Sequence, residues 1–250
     1  MKKDWWKTFF NRADFPIEQL VDPAATRTEV RSLLRLMRLP RGSRVLDLCC
    51  GMGRHSIPLS RAGLKVTGYD YSKDYLRAAR AKAGRKAGAL EFVHGDMRSL
   101  PYEREFDAVI NLWTSFSYFP RLSDDRKVLS GVRRVLKPLG RFFLEMIDGS
   151  RVLRSMPAQT SSCTGRLWCL EEHRVRRGAD PAVLSKRLFV DPDGNVRGGE
   201  TFSRIYTFSR LRSELHRAGF VNIRISGGLL ELGKKAGARH RILAVAQRPA

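Results

Sequence analysis

Three acidic residues and one glycine turn recur where they could hold a single ligand. Asp47 precedes the turn Cys49-Cys50-Gly51-Met52-Gly53, Asp70 ends Val-Thr-Gly-Tyr-Asp, and Asp96 sits in His-Gly-Asp-Met. Gly51 and Gly53 let the backbone turn sharply and approach a ligand closely. A dinucleotide turn of the G-x-G-x-x-G kind needs a third small residue that lets the helix pack closely under a pyrophosphate. Ser56 stands there, and Arg54 and His55 crowd the turn. The carboxylate of Asp47 discourages a pyrophosphate and suits a ligand that carries an ammonium group. A carboxylate at the position of Asp70 can accept both hydroxyls of a ribose. Asp96 and the Met97 backbone are placed to read an adenine edge by hydrogen bonds.

Such a site requires strands that end together. The pattern gives strands at 44–48, 65–70, 90–95, 106–112 and 140–148, with helices at 26–39, 54–62, 72–84 and 123–138 between and before them. Ser123 is expected to cap the last of these helices and Pro138 to stop it. Strands alternating with helices indicate a parallel sheet covered on both faces, with ligands at the carboxyl ends of its strands. Residues 149–208 change character, with alternating segments around an Asp-Pro-Asp-Gly-Asn turn that read as antiparallel strands. A helix at 209–220, closed by Gly219, and strands at 221–226 and 241–248 complete the chain. The expected organisation is an N-terminal helical lid or cap (1–40), a ligand-binding α/β domain (41–148 and 209–250) and an antiparallel β insert (149–208).

The 250 residues carry a net charge of +22, spread as +3, +8 and +11 over residues 1–40, 41–150 and 151–250. No basic tail concentrates it. The tight clusters, around Lys82–Lys86 and at His173–Arg177, read as solvated faces ahead of a nucleic-acid groove. Cys49, Cys50, Cys163 and Cys169 form neither paired C-x-x-C hooks nor a disulfide framework, so no metal is expected. The first ten residues are too interrupted by charge for a signal peptide, and no apolar run is long enough to span a membrane. A cytoplasmic location without membrane association is the expectation.

The stretches VLDLCCGMGRH, VTGYDYS, VHGDMRSLP, FDAVINLWTSFSYF and LKPLGRFFLEMID together resemble the class I S-adenosylmethionine-dependent methyltransferases. The resemblance covers residues 44–148 and extends through the last helix and strands. It implies a Rossmann-like, seven-stranded, mostly parallel sheet with helices on both faces, and S-adenosylmethionine as cofactor. By position it makes Asp47 and the Cys49–Gly53 loop the methionine site, Asp70 the ribose acid and Tyr71 an adenine-stacking neighbour. Asp96 and Met97 then read the adenine edge, and Asn111 with Leu112 wall the reactive methyl. Against these roles stand plainer ones: Asp70 and Asp96 as turn or helix caps, and Cys49 and Cys50 as packing residues.

Methyl transfer is an in-line displacement for which the protein supplies alignment and, where needed, a base. The segment after the fourth strand, NLWTSFSYF, lacks the Asn/Asp-Pro-Pro-aromatic pattern with which related enzymes receive a flipped base. No Pro-Cys or Thr-Cys pair for pyrimidine C5 chemistry lies at the strand ends either. A small-molecule acceptor methylated on N or O is therefore the leading reading. Trp5 and Trp6 are expected over the cofactor or in the core, Phe116 and Tyr118 near the acceptor, and Arg204 with Tyr206 on one face of the insert. There Arg204 would grip a carboxylate or phosphate. His173, Glu172, Glu145, Tyr118 and His216 are candidate bases, with none preferred. An rRNA or tRNA substrate, a nicotinamide-dependent oxidoreductase and a non-catalytic cofactor-binding protein remain the alternatives, and the oligomeric state stays open.

Overall fold

A computed structural model describes residues 4–84, 89–231 and 241–250. Arg85 and Lys86 of the first basic cluster lie outside these residues. The chain opens with two single-turn helices, α1 (Trp6–Phe9) and α2 (Ile17–Leu20), and the longer α3 (Pro23–Met37). Asp22 caps α3 by accepting from the N–H groups of Ala24 and Ala25, with Pro23 at its first position, and Arg38 ends it in the left-handed region. Then follow β1 (Arg44–Leu48), α4 (Ser56–Arg61), β2 (Lys65–Asp70), α5 (Lys73–Ala83), β3 (Leu90–His94), β4 (Phe106–Asn111), α6 (Leu122–Val135), β5 (Leu136–Ile147) and α7 (Gly149–Ser155). The insert supplies β6 (Gln159–Thr164), β7 (Leu167–Arg176), β8 (Ala182–Val190) and β9 (Val196–Arg204). The chain closes with α8 (Phe208–Arg217), β10 (Val221–Gly227) and β11 (Arg241–Gln247).

The main sheet has the order β10-β11-β5-β4-β1-β2-β3, parallel except for β11, which pairs antiparallel with both of its neighbours. This is the mostly parallel seven-stranded sheet expected from the sequence. Strand order reverses between β1 and β4, the pair whose carboxyl ends carry the glycine turn and the segment after Asn111. A separate antiparallel sheet, β6-β7-β8-β9, stands beside it. No described helix is long and apolar enough to cross a membrane.

The period of two along each strand divides the core between the two faces of the main sheet. Val45, Val66, Ile110 and Phe143 pack with Val30, Leu33 and Met37 of α3 and Leu59 of α4. Leu46, Leu48, Val109 and Phe142 pack on the other side with Val128, Leu129 and Val132 of α6 and Leu211 and Leu215 of α8.

Helix α6 departs from the sequence expectation at both ends. It starts at Leu122 after an extended Arg121, so Ser123 lies inside it and caps nothing. It gives way to β5 directly at Leu136, and Pro138 falls within that strand. The β4 and β5 pairing jumps from Phe106 and Leu136 to Ala108 and Arg141, and Pro138 sits in the resulting irregularity. A proline without an N–H is tolerated where the ladder is interrupted.

Candidate functional site

One cavity of about 660 Å³ runs from the carboxyl ends of β1, β2 and β3 to the inner face of the insert. At the first end it is lined by Cys49, Gly51, Asp70, Tyr71, Asp96 and Met97. Asp70 is held by two backbone donors: Gly51 N–H reaches its Oδ2 and Ser72 N–H its Oδ1, both at 2.8 Å. These bonds tie the glycine turn to the tip of β2 and leave each carboxylate oxygen further lone pairs. Burial nevertheless pushes the carboxyl up to about 6, against the lowering effect of the two N–H groups. Capping of α5 falls to Ser72 Oγ, which accepts from Tyr75 N–H.

Gly51 and Gly53 both have positive φ, as the turn requires. Cys49 shares that left-handed conformation at φ 61° although it has a side chain, and its thiol lies 3.5 Å from the sulfur of Met97. Burial raises the Cys49 thiol well above its ordinary value, helped by the charges of Asp70 and Asp47, so it stays protonated. Gly53 is turned away from the cavity, against the Phe92 ring.

Asp47 is not on the cavity wall. By the strand period it points with Val45 toward α3 and α4, where it is buried and accepts a 2.5 Å bond from Ser56 Oγ. Behind it Glu29 of α3 binds both Arg54 and His55, the latter at 2.9 Å. Burial would raise the Glu29 carboxyl, but the His55 hydrogen bond and the Arg54 charge outweigh it and hold it low. Arg54 also lies over the Trp113 ring. The two residues that crowd the turn thus anchor it from behind.

Asp96 is largely committed to Arg98, which donates from its backbone N–H and from Nε and Nη2. Asn111 and Leu112 are buried below the cavity floor, with Asn111 Nδ2 donating to Leu48 O at 3.0 Å. The segment beyond them lines the cavity instead, through Trp113, Thr114, Ser115 and Tyr118. Trp113, Thr114 and Ser117 all have positive φ without being glycine, which marks this loop as strained. No sequence signal reveals it.

The aromatic N-terminus lines the cavity and also packs as core. Trp5 and Trp6 are buried and line it together with Phe10 and Phe15. Trp5 Nε1 donates to Tyr118 O, and Trp6 packs edge-on against Tyr71 and Phe119. Arg98 stacks over both Trp6 and Phe119. Tyr75 of α5 donates to Phe15 O at 2.8 Å, tying the segment to the helix that follows β2. Trp6 Nε1 is buried in the cavity wall with no acceptor among the described residues, so the wall has a donor to offer a ligand.

At the far end, the β7 and β8 register places Cys169, Glu171 and His173 opposite Phe189, Arg187 and Ser185 on the inner face. Strand alternation turns His173 inward and leaves Arg174 and Arg176 exposed, which splits the second basic cluster. Glu172 is on the exposed face, His216 is exposed on α8, and Glu145 is buried and accepts from Leu229 N–H. Sequence alternation defines two faces for each insert strand. It does not say which one faces the cavity, so Glu171, Ser185 and Arg187 went unrecognised.

Arg204 and Tyr206 do not offer the free groups expected of them. Arg204 is fully buried, and its guanidinium is spent on Asp125, Asp180 and the carbonyls of Phe119 and Pro120. Tyr206 lies beyond the end of β9 and donates to Asp125 at 2.8 Å. Phe116 packs against Tyr206 and is fully buried outside the cavity lining. A buried guanidinium needs carboxylates, and these side chains supply the joint between insert and sheet rather than a grip on an acceptor.

A methyltransferase-domain family profile matches residues 45–140. A glycine/sarcosine N-methyltransferase of Parasynechococcus marenigrum is 30% identical over 82% of this chain and 73% of its own length. The chain spans about half the length of several other curated relatives it matches, such as the glycine/sarcosine N-methyltransferase of Aphanothece halophytica (36% identical; 52% of this chain and 50% of that protein). An S-adenosylmethionine-dependent methyltransferase from Clostridium acetobutylicum superposes with a TM-score of 0.75 over 94% of this chain and 95% of its own, at 18% identity. The CcbJ methyltransferase of Streptomyces caelestis superposes equally well over 90% of each chain, also at 18% identity. At these identities the structural likeness is one of fold. The chain belongs to the class I S-adenosylmethionine-dependent methyltransferases, a family whose cofactor is S-adenosylmethionine.

Proposed function

We propose that the protein transfers a methyl group from S-adenosylmethionine to a nitrogen or oxygen atom of a small-molecule acceptor. The observation that carries this reading is the continuity of the cavity, which joins the turn and acidic strand ends to the inner face of the insert. Its volume is in the range of small-molecule sites. The cofactor supplies a methyl group on a cationic sulfur. Asp70 would hold the ribose hydroxyls, Asp96 and Met97 would meet the adenine, and Cys49 and Gly51 would bound the methionine end. The acceptor would lie between the aromatic wall of Trp5, Phe10 and Tyr118 and the inner face of β7 and β8. That enclosure excludes water and aligns the nucleophile, which is most of what this displacement needs. Amines head the acceptors to test, because relatives include the two glycine/sarcosine N-methyltransferases and the fold is shared by a sugar N-methyltransferase from a Streptoalloteichus species.

The test is isothermal titration with S-adenosylhomocysteine beside a nicotinamide dinucleotide, followed by methyl transfer to glycine, sarcosine and an amino sugar. One-site binding of S-adenosylhomocysteine and turnover of an amine support the reading. Binding of the dinucleotide instead would overturn it. Turnover confined to RNA, with affinity falling steeply as salt rises, would transfer the activity to a nucleic-acid substrate.

The aromatic segment makes a separate prediction. Trp6 contacts Tyr71, Phe119 and Arg98, and such ring and cation contacts contribute about 0.5–1.5 kcal/mol each. Trp6→Ala is expected to speed release of S-adenosylhomocysteine roughly tenfold in stopped-flow displacement. An unchanged release rate would show that the segment does not close over the cofactor.

A further inference from the structure

We propose that Thr160, His173 and Ser185 form a proton-accepting chain that takes the proton of the acceptor's attacking heteroatom. This rests on the methyl-transfer reading, because it assigns a task to residues at the far end of that cavity. All three residues line the cavity and come from three adjacent strands, β6, β7 and β8. Thr160 Oγ1 lies 3.0 Å from His173 Nε2, and Ser185 Oγ lies 2.8 Å from His173 Nδ1. His173 is buried, and its backbone N–H donates to Ala158 O at 2.7 Å, which fixes the ring at this place on the sheet.

A neutral imidazole donates from one nitrogen and accepts at the other. One of the two hydroxyls must therefore donate into the ring, and the oxygen of that hydroxyl keeps lone pairs for a proton arriving from the cavity. The step balances. As the nitrogen or oxygen nucleophile bonds to the methyl carbon, the carbon–sulfur bond breaks and its electron pair stays on sulfur. The nucleophile's proton passes to the hydroxyl oxygen, and the hydroxyl's own proton passes to the ring, which becomes imidazolium.

The charged groups facing the ring are Glu171 of its own strand and Arg187 of β8, paired with each other at 2.5 Å. Thr160 and Ser162 of β6 and Thr201 and Ser203 of β9 bring no charge to that face. Burial lowers the His173 ring below its ordinary value and Arg187 adds to this, while Glu171 opposes them. The ring is accordingly neutral, and able to accept, at neutral pH. Glu145 is occupied by Leu229 N–H, Glu172 and His216 are outside the cavity, and burial pushes the Tyr118 phenol far above its ordinary value so that it stays protonated, which leaves His173 the best placed of the sequence candidates.

The experiment measures kcat against pH for the full chain with the amine panel, and the His173 ring by ¹⁵N NMR with S-adenosylhomocysteine bound. Wild type is expected to lose kcat as pH falls through the apparent pKa of the ring, which lies below 6.5. His173→Gln is expected to lower kcat roughly 100-fold or more and to abolish that limb, with S-adenosylhomocysteine affinity unchanged within about twofold. Of Thr160→Val and Ser185→Ala, which both keep the ring, the one that removes the hydroxyl donating into it is expected to lower kcat at least about tenfold with the same unchanged affinity. Full kcat and an intact acid limb in His173→Gln, or full kcat in both hydroxyl variants, would overturn the proposal, as would a ring that titrates at or above 6.5. Loss of S-adenosylhomocysteine binding by wild type would instead strike the methyl-transfer reading. If it binds and no amine turns over, the amine class fails and the NMR titration decides the proposal.

Discussion

Replacing Arg204 by Met is expected to destabilise the protein by about 3–5 kcal/mol, the usual cost of stranding a buried charge. For a chain of this size that corresponds to roughly 6–20 °C in Tm, measurable by calorimetry or urea titration. Arg204 is 1% exposed, and its guanidinium reaches Asp125 at 2.6 Å and Asp180 at 2.7 Å, with Phe119 O and Pro120 O each at 2.9 Å. It thus joins β9 to α6, to the β7–β8 connection and to the loop that follows β4. Asp180 keeps Arg210 as a partner, at 2.7 Å. Among the described residues Asp125 keeps only the Tyr206 hydroxyl, and its Oδ1 has no partner among them even with Arg204 in place.

The pH dependence has a definite sign. Burial raises the Asp125 carboxyl to about 6, despite the lowering effect of Arg204 and Tyr206. A folded-state pKa above the unfolded value means that the native state binds the proton more tightly, so the group's contribution is lost as pH rises through the folded value. Without Arg204 this penalty grows. The Arg204→Met deficit is expected to be larger at pH 8 than at pH 5, and adding Asp125→Asn is expected to recover part of it at pH 8. A variant within about 1 kcal/mol of wild type at both pH values would show that the network contributes little.

The second large effect concerns the cofactor. Asp70→Asn is expected to weaken S-adenosylhomocysteine binding about 100-fold, since two hydrogen bonds to a charged group contribute about 1.5–3 kcal/mol each. An amide there would also turn an NH₂ group toward the N–H of Gly51 or Ser72, both of which need an acceptor. Because burial lifts the Asp70 carboxyl to about 6, the wild-type affinity is expected to fall as pH drops from 7.5 to 5. It should approach a tenfold loss per pH unit below the transition. The Asn variant should show no such dependence. Equal pH profiles for both proteins, by isothermal titration, would remove Asp70 from the binding site.

The sequence by itself determined the main sheet, because strand and helix periods, caps and glycine turns are local properties. The strands at 44–48 and 65–70 are where the residues place them. It also brought Asp70, Asp96 and the Cys49–Gly53 turn together, because parallel strands joined by helices must end on one edge. Tertiary structure decided which side of each strand met the cavity. Asp47 and Asp70 look alike as acids at strand ends, yet the former points with Val45 into the α3 and α4 layer and the latter lies at the cavity. Arg204 reads in sequence as a strand arginine free to grip an acceptor's carboxylate or phosphate, but Asp125 and Asp180, 79 and 24 positions away, occupy it. His173 belongs to a run of basic residues in sequence, and only the register of β6, β7 and β8 sets it between Thr160 and Ser185. Alternation fixes two faces for a strand, and the choice between them depends on what distant segments pack against it.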